Sequence, residues 1–129
     1  MGDAGKILII DDEKDFVVIV RARLEHEGYD VLEANDGLSG LEVLLRHDVD
    51  LILLDIMMPR MDGFTFYKTL HEQGRASPVP PIIAVTAFSS QIESRKCLLG
   101  EVPILAKPFD FAVLLRMMRE MIDKRKENR

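Results

Sequence analysis

The stretch KILII at residues 6–10 decides the fold, together with its counterparts DLILL at residues 50–54 and PIIAV at residues 81–85. Strands that are buried on both faces of a sheet are nearly continuous in apolar residues, because neither face meets water. Longer segments with a helical period separate these stretches, and such an alternation is typical of a parallel sheet covered by helices on both faces. The three stretches are therefore predicted to form the centre of an α/β sheet.

The complete pattern predicts five strands and five helices. The strands fall at about residues 6–10, 30–34, 50–54, 81–85 and 102–106, and the helices at about residues 14–27, 38–46, 63–74, 89–99 and 109–126. The second strand mixes acidic and apolar residues, which predicts an edge strand with one face in water. Gly28 is expected to end the first helix, Asn35-Asp36-Gly37 to turn into the second, and Asp62-Gly63 to open the third with a capping carboxylate.

Length and composition are those of one globular domain. The 129 residues are 47% hydrophobic and 30% charged, which suffices for one sizeable core, and no apolar run approaches the roughly 18 residues of a membrane span. The N-terminus lacks the basic region and long apolar stretch of a secretory signal, and the single cysteine, Cys97, excludes an internal disulfide. We therefore expect a cytoplasmic protein without a membrane segment.

The charge of the chain favours a protein partner or a metal. The net charge of -5 argues against nucleic acid as a direct partner, because phosphate backbones are bound by clustered lysine and arginine. Residues 116–129 are an exception, with six basic and three acidic residues. We interpret this basic tail as a solvated helix end, whose cations lie near the negative end of the helix dipole.

Reactive side chains follow the apolar stretches at the points where strands are predicted to end. Asp11 and Asp12 follow the first strand, Asp55 the third, Thr86 the fourth and Lys107 the fifth. In an open α/β sheet, ligands bind beyond the carboxyl ends of the strands, so these side chains are expected to converge. Carboxylates at such an edge repel each other by roughly 4 kcal/mol per pair at 4 Å with an effective dielectric of about 20. A hard divalent cation with oxygen ligands, most naturally Mg²⁺, would offset this repulsion.

Each of these residues has an ordinary structural explanation when it is taken alone. Asp12 or Asp15 could cap the first helix, and Thr86 could cap the fourth. Asp55 could stabilise a turn, and Lys107 could be a surface cation. Together they fit a phosphoryl-transfer site better. An aspartate can act as nucleophile and form an acyl phosphate, while a cation, the Lys107 ammonium and the Thr86 hydroxyl hold the phosphoryl oxygens.

The motifs resemble those of response-regulator receiver domains, the phosphorylated partners in two-component signalling. The stretches IIDDE at residues 9–13, DIMMPRMDG at 55–63, VTA at 85–87 and KPF at 107–109 match the motifs of the family in order and spacing. The similarity covers about residues 5–122, within one domain spanning residues 1–129 with a basic tail at 123–129. By resemblance, the fold is a doubly wound five-stranded parallel sheet of order 2-1-3-4-5, flanked by five helices.

The resemblance also assigns roles to the site residues. Asp55 would be the phosphoacceptor, receiving its phosphoryl group from a histidine of a sensor kinase or phosphotransfer protein. Asp11, Asp12, Asp55 and the main-chain carbonyl of Met57 would bind Mg²⁺, and Thr86 and Lys107 would contact the phosphoryl group. The bond between Lys107 and Pro108 is expected to be cis. Such a domain is a switch, not an enzyme, and acts on a downstream protein or output domain through the face formed by the predicted helix 89–99, the fifth strand and the last helix.

The chain departs from the family pattern at three places. Ile104 stands where the family usually has a tyrosine or phenylalanine that moves with the threonine, so aromatic switching is not expected there. Gly100-Glu101 and Pro103 replace the usual start of the fifth strand. Met57 and Phe88 are apolar at positions that line the path of hydrolytic water, and we hypothesise a long-lived aspartyl phosphate, although Phe88 could simply cover the predicted helix 89–99.

Three other classes of protein compete with this interpretation. A haloacid-dehalogenase-type phosphatase needs a second aspartate two residues after its nucleophile, whereas Asp55 is followed there by Met57 and Asp11 by Glu13. A flavodoxin-like or dinucleotide-binding protein needs a glycine-rich loop where Asp12 and its acidic neighbours stand. A purely structural interaction module would bind no Mg²⁺. Whether the receiver acts alone, belongs to a larger regulator or dimerises on phosphorylation stays open.

Overall fold

The computed structural model describes residues 3–58, 61–73, 79–87 and 94–127. Phe88 and residues 89–93 of the predicted helix 89–99 lie outside the described residues. From that helix, residues 94 and 95 are helical and are followed by a 3-10 helix, Lys96–Leu99.

The described residues form a five-stranded parallel sheet with four α-helices. In chain order the elements are β1 (Gly5–Ile10), α1 (Lys14–His26), β2 (Tyr29–Ala34), α2 (Gly37–Arg46), β3 (Leu51–Leu54), α3 (Gly63–Gln73), β4 (Ile82–Ala87), the 3-10 helix, β5 (Ile104–Lys107) and α4 (Phe111–Glu127). The strand order is β2-β1-β3-β4-β5. This order confirms the predicted topology, and β2 occupies one edge, as its mixed composition predicts.

Two apolar layers attach the helices to the sheet. Leu8 and Ile10 of β1 face the layer under α2 and α3, whereas Ile7 and Ile9 face the layer under α1 and α4. This alternation follows from the two-residue period of a strand. All four side chains are completely buried, and burying each contributes on the order of 1.5–3 kcal/mol. The strand that leads to the site is therefore packed on both faces.

Local signals in the sequence set the helix ends. Asp36 accepts a hydrogen bond from the Ser39 amide at 2.8 Å, and Asp62 accepts one from the Thr65 amide at 2.8 Å, so both carboxylates cap helices, as predicted for Asp62. Gly28 follows α1 with a φ of +97°, a conformation that side chains with a Cβ rarely adopt. Asp36 and Asp62 therefore have a structural role as helix caps.

The end of α4 corrects one expectation about the basic tail. The guanidinium of Arg125 donates a hydrogen bond to the carbonyl of Val49 at 2.8 Å and lies 3.6 Å from the carboxylate of Asp50. Asp50 also accepts a hydrogen bond from the Lys6 amide at 2.8 Å. The Arg125 side chain is only 13% exposed, so at this position the prediction of a solvated helix end is wrong. Its long side chain reaches the strand ends and attaches α4 to the sheet.

In the part of the chain that the structure describes, every helix is too short or too polar to cross a membrane.

Candidate active site at the carboxyl edge of the sheet

Three carboxylates meet where β1 and β3 end. Ile10 pairs with Leu54 in the parallel register, so the residues that follow them, Asp11 and Asp55, are neighbours. The Asp55 amide donates to the carbonyl of Ile10 at 2.9 Å, which continues the ladder past the last strand residues. Carboxylate oxygens of Asp11, Asp12 and Asp55 all lie within 4.8 Å of one another. The structure thus brings together the three acids that the sequence placed at separate strand ends.

The three acids differ in their exposure to solvent. Asp11 and Asp55 are 4% and 6% exposed, whereas Asp12 faces solvent. Asp55 also accepts a hydrogen bond from the Met57 amide at 3.1 Å, which orients its carboxylate. Met57 itself is 50% exposed. Two carboxylates are therefore buried at the bottom of the pocket, and the third lies toward water.

Thr86 reaches the same edge from within β4, not from the residue after the strand. The strand continues to Ala87, two residues beyond the predicted end, because β5 pairs with it as far as Lys107. Ala84 pairs with Leu54, so Thr86 lies beside the loop that begins with Asp55. The Thr86 hydroxyl oxygen is buried and has no hydrogen-bond partner among the described residues. A buried hydroxyl left unpaired costs about 1–3 kcal/mol, so a ligand oxygen in the pocket would satisfy it.

Lys107 ends β5 and extends its ammonium into the acidic pocket. Its Nζ lies 2.8 Å from Asp11 Oδ2, 3.1 Å from Glu13 Oε1 and 3.9 Å from Asp55 Oδ2. The Phe16 ring lies under the ammonium, with its centroid 4.0 Å from Nζ. The peptide bond between Lys107 and Pro108 is cis, as expected.

The charges of the pocket are unbalanced. Burial, and secondly the Asp11 carboxylate, raise the pKa of Asp55 to about 6, although Lys107 and the Met57 amide act in the opposite direction. Burial tends to lower the pKa of Lys107, but its pairing with Asp11 and the attraction of Asp55 outweigh burial, and the pKa is raised. Negative charge thus exceeds positive charge among the described groups. Oxygen donors, crowded carboxylates and an unpaired hydroxyl together fit a hard divalent cation and an anionic group beside it.

Two residues of the pocket escaped the sequence-based prediction. Glu13 belongs to the motif at residues 9–13, but an acid before a helix is ordinarily explained by the helix dipole. Phe16 follows the apolar period of α1, which is typical of a core residue. Only the position of Lys107 in three dimensions reveals that both residues contact its ammonium.

The hypothesis of a long-lived phosphate involves two apolar residues, of which the structure describes Met57. Met57 is an exposed residue whose amide contacts the Asp55 carboxylate. Phe88 lies outside the described residues, so its part in the hypothesis stays a prediction. Ile104 is partly buried against the apolar layer under α2 and α3.

A doubly wound α/β sheet with an acidic site beyond its carboxyl edge defines the class of protein. Residues 7–119 match the response regulator receiver domain family. The match covers most of the chain, and the protein belongs to that family. A receiver domain is a signalling switch rather than an enzyme, so the phosphatase and nucleotide-binding alternatives are wrong.

Relatives and solved structures agree with this assignment. The chain is 38% identical over 118 residues to the response regulator ArlR of Staphylococcus saprophyticus, an alignment that covers 91% of this chain and 52% of ArlR. It is 34% identical to RpaA of Synechocystis sp., a DNA-binding dual master transcriptional regulator, covering 91% of this chain and 48% of RpaA. The chain thus spans about half the length of these curated relatives.

A similar solved receiver domain has a metal ion in its active site cleft. The receiver domain of the sensor histidine kinase PA1611 from Pseudomonas aeruginosa PAO1 is 31% identical, with a TM-score of 0.83. The likeness covers 95% of this chain and 99% of that domain, which was solved with a magnesium ion coordinated in its active site cleft. In this chain, the acidic cluster of Asp11, Asp12 and Asp55 is consistent with such a site.

Proposed function

We propose that Asp55 accepts a phosphoryl group from a histidine of a sensor histidine kinase or phosphotransfer protein, in a reaction that requires Mg²⁺. The convergence of Asp11, Asp12 and Asp55 within 4.8 Å is the observation that carries this proposal. Membership in the receiver family supports this proposal. Asp55 resembles the phosphoacceptor of that family in its sequence motif and in its position at the end of the third strand.

Asp55 has the chemistry of the nucleophile. With a pKa of about 6 it is mostly ionised at neutral pH, so no separate base is needed to activate it. A carboxylate oxygen forms a bond to phosphorus, the bond between phosphorus and the donor imidazole nitrogen breaks, and the electron pair of that bond stays with the imidazole. The Met57 amide holds one carboxylate oxygen, which leaves the other directed toward Lys107.

The other pocket residues would stabilise the transferred group. We propose that Asp11, Asp12, Asp55 and the main-chain carbonyl of Met57 hold Mg²⁺, which when bound supplies positive charge for the phosphoryl oxygens. The unpaired hydroxyl of Thr86 is available as a donor to one of these oxygens. The ammonium of Lys107, 3.9 Å from Asp55, is available to another.

The output of the switch is also a proposal. The face formed by the predicted helix 89–99, β5 and α4 would bind a downstream protein or an output domain, or a second phosphorylated copy of the chain. Of this face, β5 is an edge strand that pairs only with β4 in the described sheet. The acidic net charge favours protein partners over direct contact with nucleic acid. We propose one receiver domain with a core at about residues 5–122, working in the cytoplasm, where a lone cysteine stays reduced.

Intact mass measurement after incubation with acetyl phosphate tests the proposal. Wild-type protein should gain one phosphoryl adduct with Mg²⁺ and none in EDTA, and Asp55→Asn should gain none. Asp30→Asn is the matched control, because Asp30 is exposed on β2. An adduct that persists in Asp55→Asn would overturn the assignment of the acceptor. A wild-type protein that neither gains an adduct nor binds Mg²⁺ would instead be an interaction module that keeps the fold.

A further inference from the structure

Glu13 contacts the proposed site without being a proposed ligand of the metal or of the phosphoryl group. Its Oε1 lies 3.1 Å from Nζ of Lys107, closer than the 3.9 Å between Nζ and Asp55 Oδ2. The ammonium that should stabilise a phosphoryl group on Asp55 therefore lies nearer to Glu13 and Asp11 than to the acceptor. This placement requires an explanation, because a lysine poised only for phosphoryl transfer would be expected closest to Asp55.

Two hydrogen bonds hold the backbone of Glu13 and so determine where its side chain begins. Its amide donates to Asp11 Oδ1 at 2.9 Å, and its carbonyl accepts the first helical hydrogen bond of α1, from Val17 at 3.1 Å. Glu13 occupies the N-cap position of α1, but its side chain makes no capping hydrogen bond. The carboxylate is thus directed to Lys107 and is not used by the helix.

Lys107 has little freedom to choose other partners. Its side chain is 14% exposed, and the Phe16 ring lies against the ammonium with its centroid at 4.0 Å. Phe16 in turn packs edge-on against Phe109, with the ring centroids 6.0 Å apart. An ammonium has three N–H donors, and Asp11 and Glu13 accept two of them. Glu13 and Phe16 therefore define a position for the cation on the α1 side of the pocket.

We propose that Glu13 is a positioning residue that holds the Lys107 ammonium when Asp55 is unmodified, and that a phosphoryl group on Asp55 draws the ammonium away from it. This inference rests on the proposed function. The Glu13 side chain is 59% exposed, so its attraction is weak compared with that of a desolvated phosphoryl oxygen. Glu13 then competes with the phosphoryl group for one cation and sets how strongly the phosphorylated form is favoured.

Beryllofluoride, which mimics a phosphoryl group on aspartate, can measure this competition at equilibrium. At saturating Mg²⁺, Glu13→Gln should bind beryllofluoride about three- to fivefold more tightly than wild type, as expected for loss of one exposed ion pair. Isothermal titration calorimetry supplies the affinities. Glu33→Gln is the matched control, because it removes the same charge from the nearby edge strand, where Glu33 pairs with Arg21.

A second background separates positioning from a general charge effect. In Lys107→Ala protein, adding Glu13→Gln should not improve the affinity for beryllofluoride further. Without metal, the ¹⁵Nζ resonance of Lys107 should shift in Glu13→Gln and stay in place in Glu33→Gln. An equal gain from both glutamine variants, or a gain that persists without Lys107, would overturn the inference.

The wild-type arm distinguishes the two proposals from each other. If wild-type protein binds beryllofluoride and gains the acetyl phosphate adduct while Glu13→Gln behaves identically, only the role of Glu13 is wrong. If wild-type protein does neither, the proposed function is wrong and the role of Glu13 falls with it.

Discussion

The two edges of the sheet carry similar acidic groups in opposite electrostatic settings. At the amino edge, Asp50 accepts a hydrogen bond from the Lys6 amide at 2.8 Å and lies 3.6 Å from the Arg125 guanidinium. At the carboxyl edge, Asp11, Asp12 and Asp55 crowd within 4.8 Å, and one ammonium among the described residues serves them. The first arrangement matches its charge and stabilises the fold.

The second arrangement costs stability and therefore needs another reason to exist. The pKa of Asp55 is raised to about 6, first by burial and then by Asp11, which means that the folded chain disfavours its negative charge. Charge that is unmatched in a rigid pocket is typical of a functional site. The difference between the edges can be measured with single substitutions.

Removal of the Lys107 charge should have the largest effect. Lys107→Met leaves Asp11 and Asp55 without their buried partner, and breaking such a pair typically costs 3–5 kcal/mol. Because Lys107 keeps some contact with water, we expect a loss of about 3 kcal/mol in the free energy of unfolding at pH 7 without metal. Urea denaturation followed by circular dichroism measures it.

Mg²⁺ should restore part of this loss, because the cation offsets the same carboxylates. Lys68→Met is the control, since Lys68 on α3 is 76% exposed. A Lys107→Met protein as stable as wild type in EDTA would mean that the carboxylates do not repel each other as inferred.

Removal of the Asp55 charge should act in the opposite direction. Asp55→Asn keeps the acceptor for the Met57 amide and removes the disfavoured charge, so the metal-free protein should gain on the order of 2–3 kcal/mol at pH 7.

The gain should depend on pH in a defined way. The pKa of Asp55 is about 6 in the folded chain and 3.8 as the ordinary value. Between these values the folded state binds more protons than the unfolded state, so wild-type stability falls as pH rises through this window. The advantage of Asp55→Asn should therefore be complete above pH 6 and vanish below about pH 4. A gain that is constant over pH would show that burial of the charge is not its cause.

The positions of the strands and of the acidic site could be predicted from the sequence, whereas the contacts of long side chains and the end of β4 could not. The continuous apolar stretches predicted the central strands, and their carboxyl ends predicted where Asp11, Asp55 and Lys107 meet. These signals are local, because a strand buried on both faces is recognisable as about five consecutive apolar residues.

Contacts between long side chains that are distant in the sequence have no such local pattern. Glu13 and Lys107 are 94 residues apart, and Arg125 reaches Val49 across 76 residues. The end of β4 was also misplaced, because pairing with β5 extends the strand to Ala87. Such positions depend on how the strands are paired and not on local composition.

Removing the Arg125 contacts at the amino edge should have the smallest effect on stability and should leave phosphorylation at the site unchanged. Arg125→Met keeps much of the apolar volume of the side chain but removes the hydrogen bond to Val49 and the ion pair with Asp50, so stability should fall by about 1–2 kcal/mol. Lys126→Met is the control, because Lys126 is exposed on the same turn of α4. Urea denaturation measures stability, and intact mass after acetyl phosphate treatment measures phosphorylation.

Stability should fall by the same amount with and without Mg²⁺, and the rate of adduct formation should match wild type, because no charge of the pocket changes. A changed rate would mean that the amino edge, through α4, also sets the geometry of the carboxyl edge.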